Sequence, residues 1–131
     1  HDRVIALTGD SQSPAILEQV KALCQGRTGL VIHDGAHDAG HVLRDLRAYA
    51  GLVSVGSYLI VEDGVVDFYP PQDVFGMWWT DGPWVATRKF LKENDAFAVD
   101  EKRERYLLTY NPRGYLQRVR PDSPRPVPGE R

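Results

Sequence analysis

The sequence predicts an α/β fold with parallel strands, on two observations. The apolar run at residues 29–33, the helix-patterned segment at 39–50 and the apolar run at 58–61 read as strand, helix, strand, a right-handed βαβ unit. Both strands end in acids: His33-Asp34-Gly35-Ala36-His37 after the first, Glu62-Asp63 after the second. In such a unit the carboxyl ends of parallel strands lie side by side, and ligands collect there.

In chain order, residues 3–8 read as a buried strand ending in Gly9-Asp10-Ser11. Ser13-Pro14 supplies an N-cap and a first-turn proline for a helix over 15–24, whose Ile16, Leu17, Val20 and Leu23 share a face; Gly26 closes it. Residues 28–33 are an unbroken apolar strand, as expected when both faces are covered. The helix over 39–53 buries Val42, Leu43, Leu46, Tyr49 and Ala50 and turns Arg44, Asp45 and Arg47 to water. A strand follows over 58–62. Residues 64–81, rich in Pro, Gly and aromatics, read as a lid carrying Trp78 and Trp79. A third helix is predicted over 83–94, with Trp84, Val85, Phe90 and Leu91 inward. An antiparallel hairpin pairs 97–100 with 106–110 across the charged turn 101–104, and 115–119 forms a last short strand. The Pro-rich stretch 120–131 is a flexible tail.

Bulk properties narrow the function. A chain of 131 residues makes one domain, and its net charge of −2 without a basic stripe predicts no nucleic-acid partner. No apolar run is long enough to span a membrane, and no signal peptide is evident. The single cysteine, Cys24, reads as a core residue and fits a reducing cytoplasm. Residue 1 is His rather than Met, so the chain is expected to be a fragment.

Asp34, Glu62 and Asp63 are candidate metal ligands. Three converging carboxylates repel unless a cation joins them, and oxygen-only ligands favour Mg²⁺, Mn²⁺ or Ca²⁺ over zinc. The structural alternative is that each acid caps a neighbouring helix or loop. His37 is a candidate general base on a substrate hydroxyl, or else an exposed histidine near a helix start. His37 and His41, four apart, can instead join Asp34 as the two-histidine, one-carboxylate triad of an iron oxygenase, which leaves Glu62 and Asp63 unused. His33, inside its strand, reads as structural. Gly9-Asp10-Ser11 can meet a nucleotide or adenine, as many strand-to-helix loops can. Trp78, Trp79 and Trp84 can exclude water and stack on a sugar, or simply pack the loop down.

The run from Asp34-Gly35-Ala36-His37 through Val42-Leu43-Arg44-Asp45-Leu46 to Tyr58-Leu59-Ile60-Val61-Glu62-Asp63 resembles the cephalosporin hydroxylase / rhamnosyl O-methyltransferase family. Gly82-Pro83-Trp84 and the segment from Glu104 to Leu116 resemble it too, so the likeness spans residues 3–119. It implies a partial class I methyltransferase domain over 1–119, with a Rossmann-like sheet that lacks its first two strands and ends in an antiparallel hairpin. It implies S-adenosylmethionine and Mg²⁺ (or Mn²⁺) as cofactors and a hydroxylated sugar or natural product as substrate. Asp34, Glu62 and Asp63 match the metal ligands and His37 the base, while Gly9, Asp10 and Ser11 border the adenine. His33 is counted with these cofactor-contacting residues. The cation would hold the substrate hydroxyl, His37 would take its proton, and the oxygen would attack the sulfonium methyl in line.

The family's glycine-rich cofactor loop and ribose-holding acid have no counterpart here, since the chain starts where the family's third strand would. The expectation is a carboxy-terminal portion whose strand at 3–8 is displaced or differently paired, with exposed edges that favour a homo-oligomer. Two other functions stay open: the iron oxygenase, and a non-catalytic remnant serving as a binding or oligomerisation module.

Overall fold

The computed structural model describes residues 1–69, 81–106 and 108–121. Helix α1 is Pro14–Cys24, strand β1 Val31–His33, helix α2 Ala39–Tyr49, strand β2 Tyr58–Val61, helix α3 Pro83–Glu93, strand β3 Phe97–Val99 and strand β4 Tyr115–Arg118. Short 3₁₀ turns occupy Ala50–Leu52, Gly64–Phe68 and Glu101–Glu104. The strands form one four-stranded mixed sheet in the order β1-β2-β4-β3. β1 and β2 are parallel, with His33 opposite Val61. β4 is antiparallel to both β2 and β3, placing Leu116 opposite Leu59 and Val99. β3 therefore runs with β2, and the carboxyl ends of β1, β2 and β3 share one edge of the sheet.

Side-chain alternation decides which face is covered. Leu59, Val61 and Leu116 point to one face and are buried with Val42, Leu43 and Leu46 of α2 and Ala86 and Phe90 of α3. Phe90 meets Phe97 at 5.4 Å between ring centroids. The turn at Ala50–Leu52 takes over where α2 ends, and the buried Arg118 donates to Val53 O at 2.6 Å just beyond it. Helix α1 starts as its sequence predicts, Ser13 Oγ accepting from Ile16 N, but no residue of it is fully buried.

Four expectations are corrected. Residues 3–8 form no strand; Val4 and Ile5 are 70% and 62% exposed. A strand is held by its neighbour's ladder, and none lies alongside this segment among the described residues. β1 is covered on one face only, since Ile32 is 56% exposed and lies outside the buried cluster. The partner of β3 is β4, not residues 106–110, whose Tyr106, Leu108 and Tyr110 are exposed. Leu116 of β4, fully buried between β2 and β3, makes that pairing the one that closes the core. Asp45, expected to face water, is buried. Trp78, Trp79 and most of the predicted lid and tail lie outside the described residues.

At the β3 end, Tyr58 Oη donates to Asp100 Oδ2 at 2.7 Å, and Arg103 donates to both groups. The Tyr58 hydrogen bond, aided by Lys102 N–H and Arg103, holds the Asp100 carboxyl below its ordinary 3.8. A depressed folded-state value stabilises the fold above the unfolded value, and that contribution is lost as pH falls through the folded one. Tyr58→Phe should therefore lower the urea midpoint at neutral pH and shrink its fall between neutral pH and pH ~3. In the core, Phe90→Ala should cost ~3–5 kcal/mol in urea unfolding.

Candidate functional site

The parallel register brings the two acidic strand ends together. Glu62 N donates to His33 O at 3.0 Å, extending the β1–β2 ladder one step. Asp34 and Glu62 thus leave the sheet side by side. Asp63 adopts a left-handed conformation, φ 57°, which aspartate tolerates better than most residues. It is pinned there because Asn111 Oδ1 accepts its N–H at 3.0 Å and its own carbonyl accepts from Val66 N at 3.1 Å. Asn111 is placed in turn by the 111–114 bend, where Gly114 O accepts from Val61 N at 2.8 Å. A Cβ at residue 114 would collide with Val61 O, so the bend needs glycine.

His37 reaches across from the β1 end to this acid, with Nε2 2.9 Å from Asp63 Oδ2. A carboxylate only accepts, so Nε2 is the nitrogen that donates toward Asp63. His37 lies before α2, whose N-cap is Asp38, with Oδ1 2.9 Å from His41 N. The helical spacing assumed for His37 and His41 therefore does not apply. The two rings face different acids: His41 Nε2 stands 3.6 Å from Asp45 Oδ2. The His37, His41, Asp34 triad loses its geometric basis.

Asp45 is the feature that sequence reasoning missed. It accepts from His33 Nε2 at 3.1 Å and from Ser11 Oγ at 3.1 Å. Tyr49 Oη closes the cluster by donating to Ser11 O at 2.7 Å; burial, then the Asp45 charge, raise its pKa and keep it a donor. The available signal was the 41, 45, 49 spacing, which stacks polar side chains on the flank of the apolar stripe of α2. Ser11, His33, Asp34, Gly35, His41 and Asp45 form the polar wall of a cavity of about 420 Å³ between α1, β1 and α2. Of the predicted cofactor residues, Ser11 and His33 line it. Gly9 and Asp10 do not: Asp10 builds the turn into α1, accepting from Gln12 N at 2.9 Å.

The Asp34 and Glu62 carboxylates have no hydrogen-bond partner among the described residues. Their donor chemistry, oxygen alone, suits a hard divalent cation. Among the described residues no three His, Cys, Asp or Glu side chains already stand close enough to enclose one, and Asp63 is engaged with His37. Asp67, a neighbouring acid, serves the fold instead, since it accepts from Gly82 N and Trp84 N and so caps α3. No described helix is long and apolar enough to cross a membrane.

Asp45→Ala should destabilise the fold by ~2–3 kcal/mol in urea unfolding, because His33 and Ser11 lose their buried acceptor.

Comparison with known proteins follows the same residues. The chain matches the rhamnosyl O-methyltransferase/CmcI family over residues 1–119. It is 32% identical over 119 residues to proteins named rhamnosyl O-methyltransferase from Mycobacterium tuberculosis (strain H37Rv) and Mycobacterium bovis (strain AF2122/97), covering 88% of this chain and 47% of each relative. The protein of that name from Mycobacterium leprae is 29% identical over 119 residues, covering 88% of this chain and 50% of its own. The chain thus spans about half the length of the curated relatives it matches. No solved structure matches it at a significant level.

Proposed function

This chain belongs to the rhamnosyl O-methyltransferase/CmcI family, and from that premise we propose that it serves an S-adenosylmethionine-dependent, Mg²⁺-dependent O-methyltransferase acting on a hydroxyl of a sugar or hydroxylated natural product. The observation that carries the reading is the His37–Asp63 pair, set at the shared edge where Asp34 and Glu62 also emerge. When bound, S-adenosylmethionine supplies the methyl group, and a cation held by Asp34, Glu62 and Asp63 supplies positive charge that makes a hydroxyl more acidic.

The remaining chemistry falls to the chain's own residues. Asp63 holds the His37 imidazole in place, and His37 is the base that takes the hydroxyl proton as the oxygen becomes a nucleophile. Asn111 keeps Asp63 in its left-handed conformation and thereby keeps His37 aimed. Ser11 and His33, lining the cavity beside Asp34, are the cofactor-side wall; their orientation is set by Asp45. A second reading, a non-catalytic binding or oligomerisation module, draws on the uncovered sheet face around Ile32 and on the outer edge of β1, unpaired among the described residues.

The test is formation of S-adenosylhomocysteine with rhamnoside acceptors and Mg²⁺, alongside calorimetric Mg²⁺ titration. His37→Ala should slow transfer by ~10²–10⁴-fold with Mg²⁺ affinity retained. Asp63→Ala should abolish both. A wild-type protein that binds neither cation nor cofactor sinks the enzyme reading and favours the module.

A further inference from the structure

We propose that the pocket beyond β3 is a binding site for a phosphate group carried by a small molecule. Asp100, Lys102, Arg103, Arg105 and Tyr106 enclose about 360 Å³ there. Three of these five side chains are cationic, and the one acid is already satisfied. Asp100 accepts from Tyr58 Oη at 2.7 Å and from Arg103 Nε at 3.2 Å, so its charge is spent inside the wall.

The nearby acids are engaged outside the pocket. Glu104 accepts from Arg113 N at 2.7 Å, and Glu101 pairs with Arg113 Nη1 at 3.5 Å. Neither lines the pocket, and Lys102 and Arg105 have no acidic partner among the described residues. The pocket lining itself therefore carries three cations against one carboxylate, and Arg103 offsets that carboxylate.

Both arginines stack on a tyrosine ring, Arg103 on the strand residue Tyr58 and Arg105 on its exposed neighbour Tyr106. Arg103 lies over the Tyr58 ring at 5.2 Å and donates Nη2–H to its oxygen at 2.9 Å. Arg105 lies over the Tyr106 ring at 4.9 Å and donates to its oxygen at 2.9 Å. Stacking fixes the plane of a guanidinium and lowers the ordering cost of presenting its remaining N–H groups to an oxyanion. The guanidinium N–H groups left over from these bonds and the flexible Lys102 ammonium match the charge and several acceptor oxygens of a phosphate better than the single charge of a carboxylate. Because β3 runs with β2, the pocket lies on the same edge of the sheet as Asp34, Glu62 and Asp63. The site does not depend on the methyltransferase reading: it stands on its own cations.

The experiment is a titration of the full chain with inorganic phosphate and, separately, acetate, followed by NMR of the arginine Nε–H signals. Phosphate should shift the Arg103 and Arg105 signals saturably, bind ~10-fold or more tightly than acetate, and weaken as NaCl rises. Lys102→Gln with Arg105→Gln should weaken phosphate ~10-fold or more, while Lys92→Gln, a charge removed outside the pocket, should leave it unchanged. Acetate binding as tightly as phosphate, equal losses in both variants, or no saturable shift would each overturn the site. None of these readouts involves methyl transfer, so failure here and failure of the enzyme reading are separable.

Discussion

The parallel pairing of β1 with β2 is the constraint on which the rest depends. It fixes His33 opposite Val61, and the bond from Glu62 N to His33 O carries the register one residue past the strands. A slip of one residue would send Leu59 and Val61 to the open face and separate the two acidic ends. The same register that buries the core therefore assembles the site.

Around this ladder the acids divide into three roles. Asp34, which is exposed, and Glu62, which is half-buried, have no protein hydrogen-bond partner among the described residues and meet solvent. Asp63 is held by Asn111 and orients His37. Asp45, Asp67 and Asp100 are absorbed by the fold: the first joins α2 to β1 and to Ser11, the second caps α3, the third ties β3 to Tyr58. Composition shows the number of carboxylates but not this division, which depends on which N–H and O–H groups the fold leaves nearby.

What was legible in the sequence was what local periodicity encodes. The helices starting at Pro14, Ala39 and Pro83 follow from the Ser13-Pro14 start and from apolar stripes, with the Asp38 cap visible only in the structure. The strand-helix-strand unit and its acidic ends could be read because two short apolar runs flank a helix-patterned segment. Long-range pairing was not legible. Residues 106–110 carry a strand's aromatic and aliphatic composition, yet Leu116 supplies the buried side chain that the sheet needs beside Leu59. Residues 3–8 carry a strand's composition but no neighbour to hold it among the described residues. Asp45 was misread because a polar residue on a helix flank looks solvated until His33 is known to lie beside it.

The central claim is that Asp34, Glu62, Asp63 and His37 form one cation-responsive site, distinct from the Asp45 cluster. Long-range ¹H–¹⁵N NMR of the histidine rings during Mg²⁺ titration tests it most directly. The chain has four histidines, three of them in or beside these clusters. The account predicts a saturable shift of His37 alone, with His33 and His41 unmoved. Shifts at His33 and His41, or a His37 signal indifferent to Mg²⁺, would contradict it.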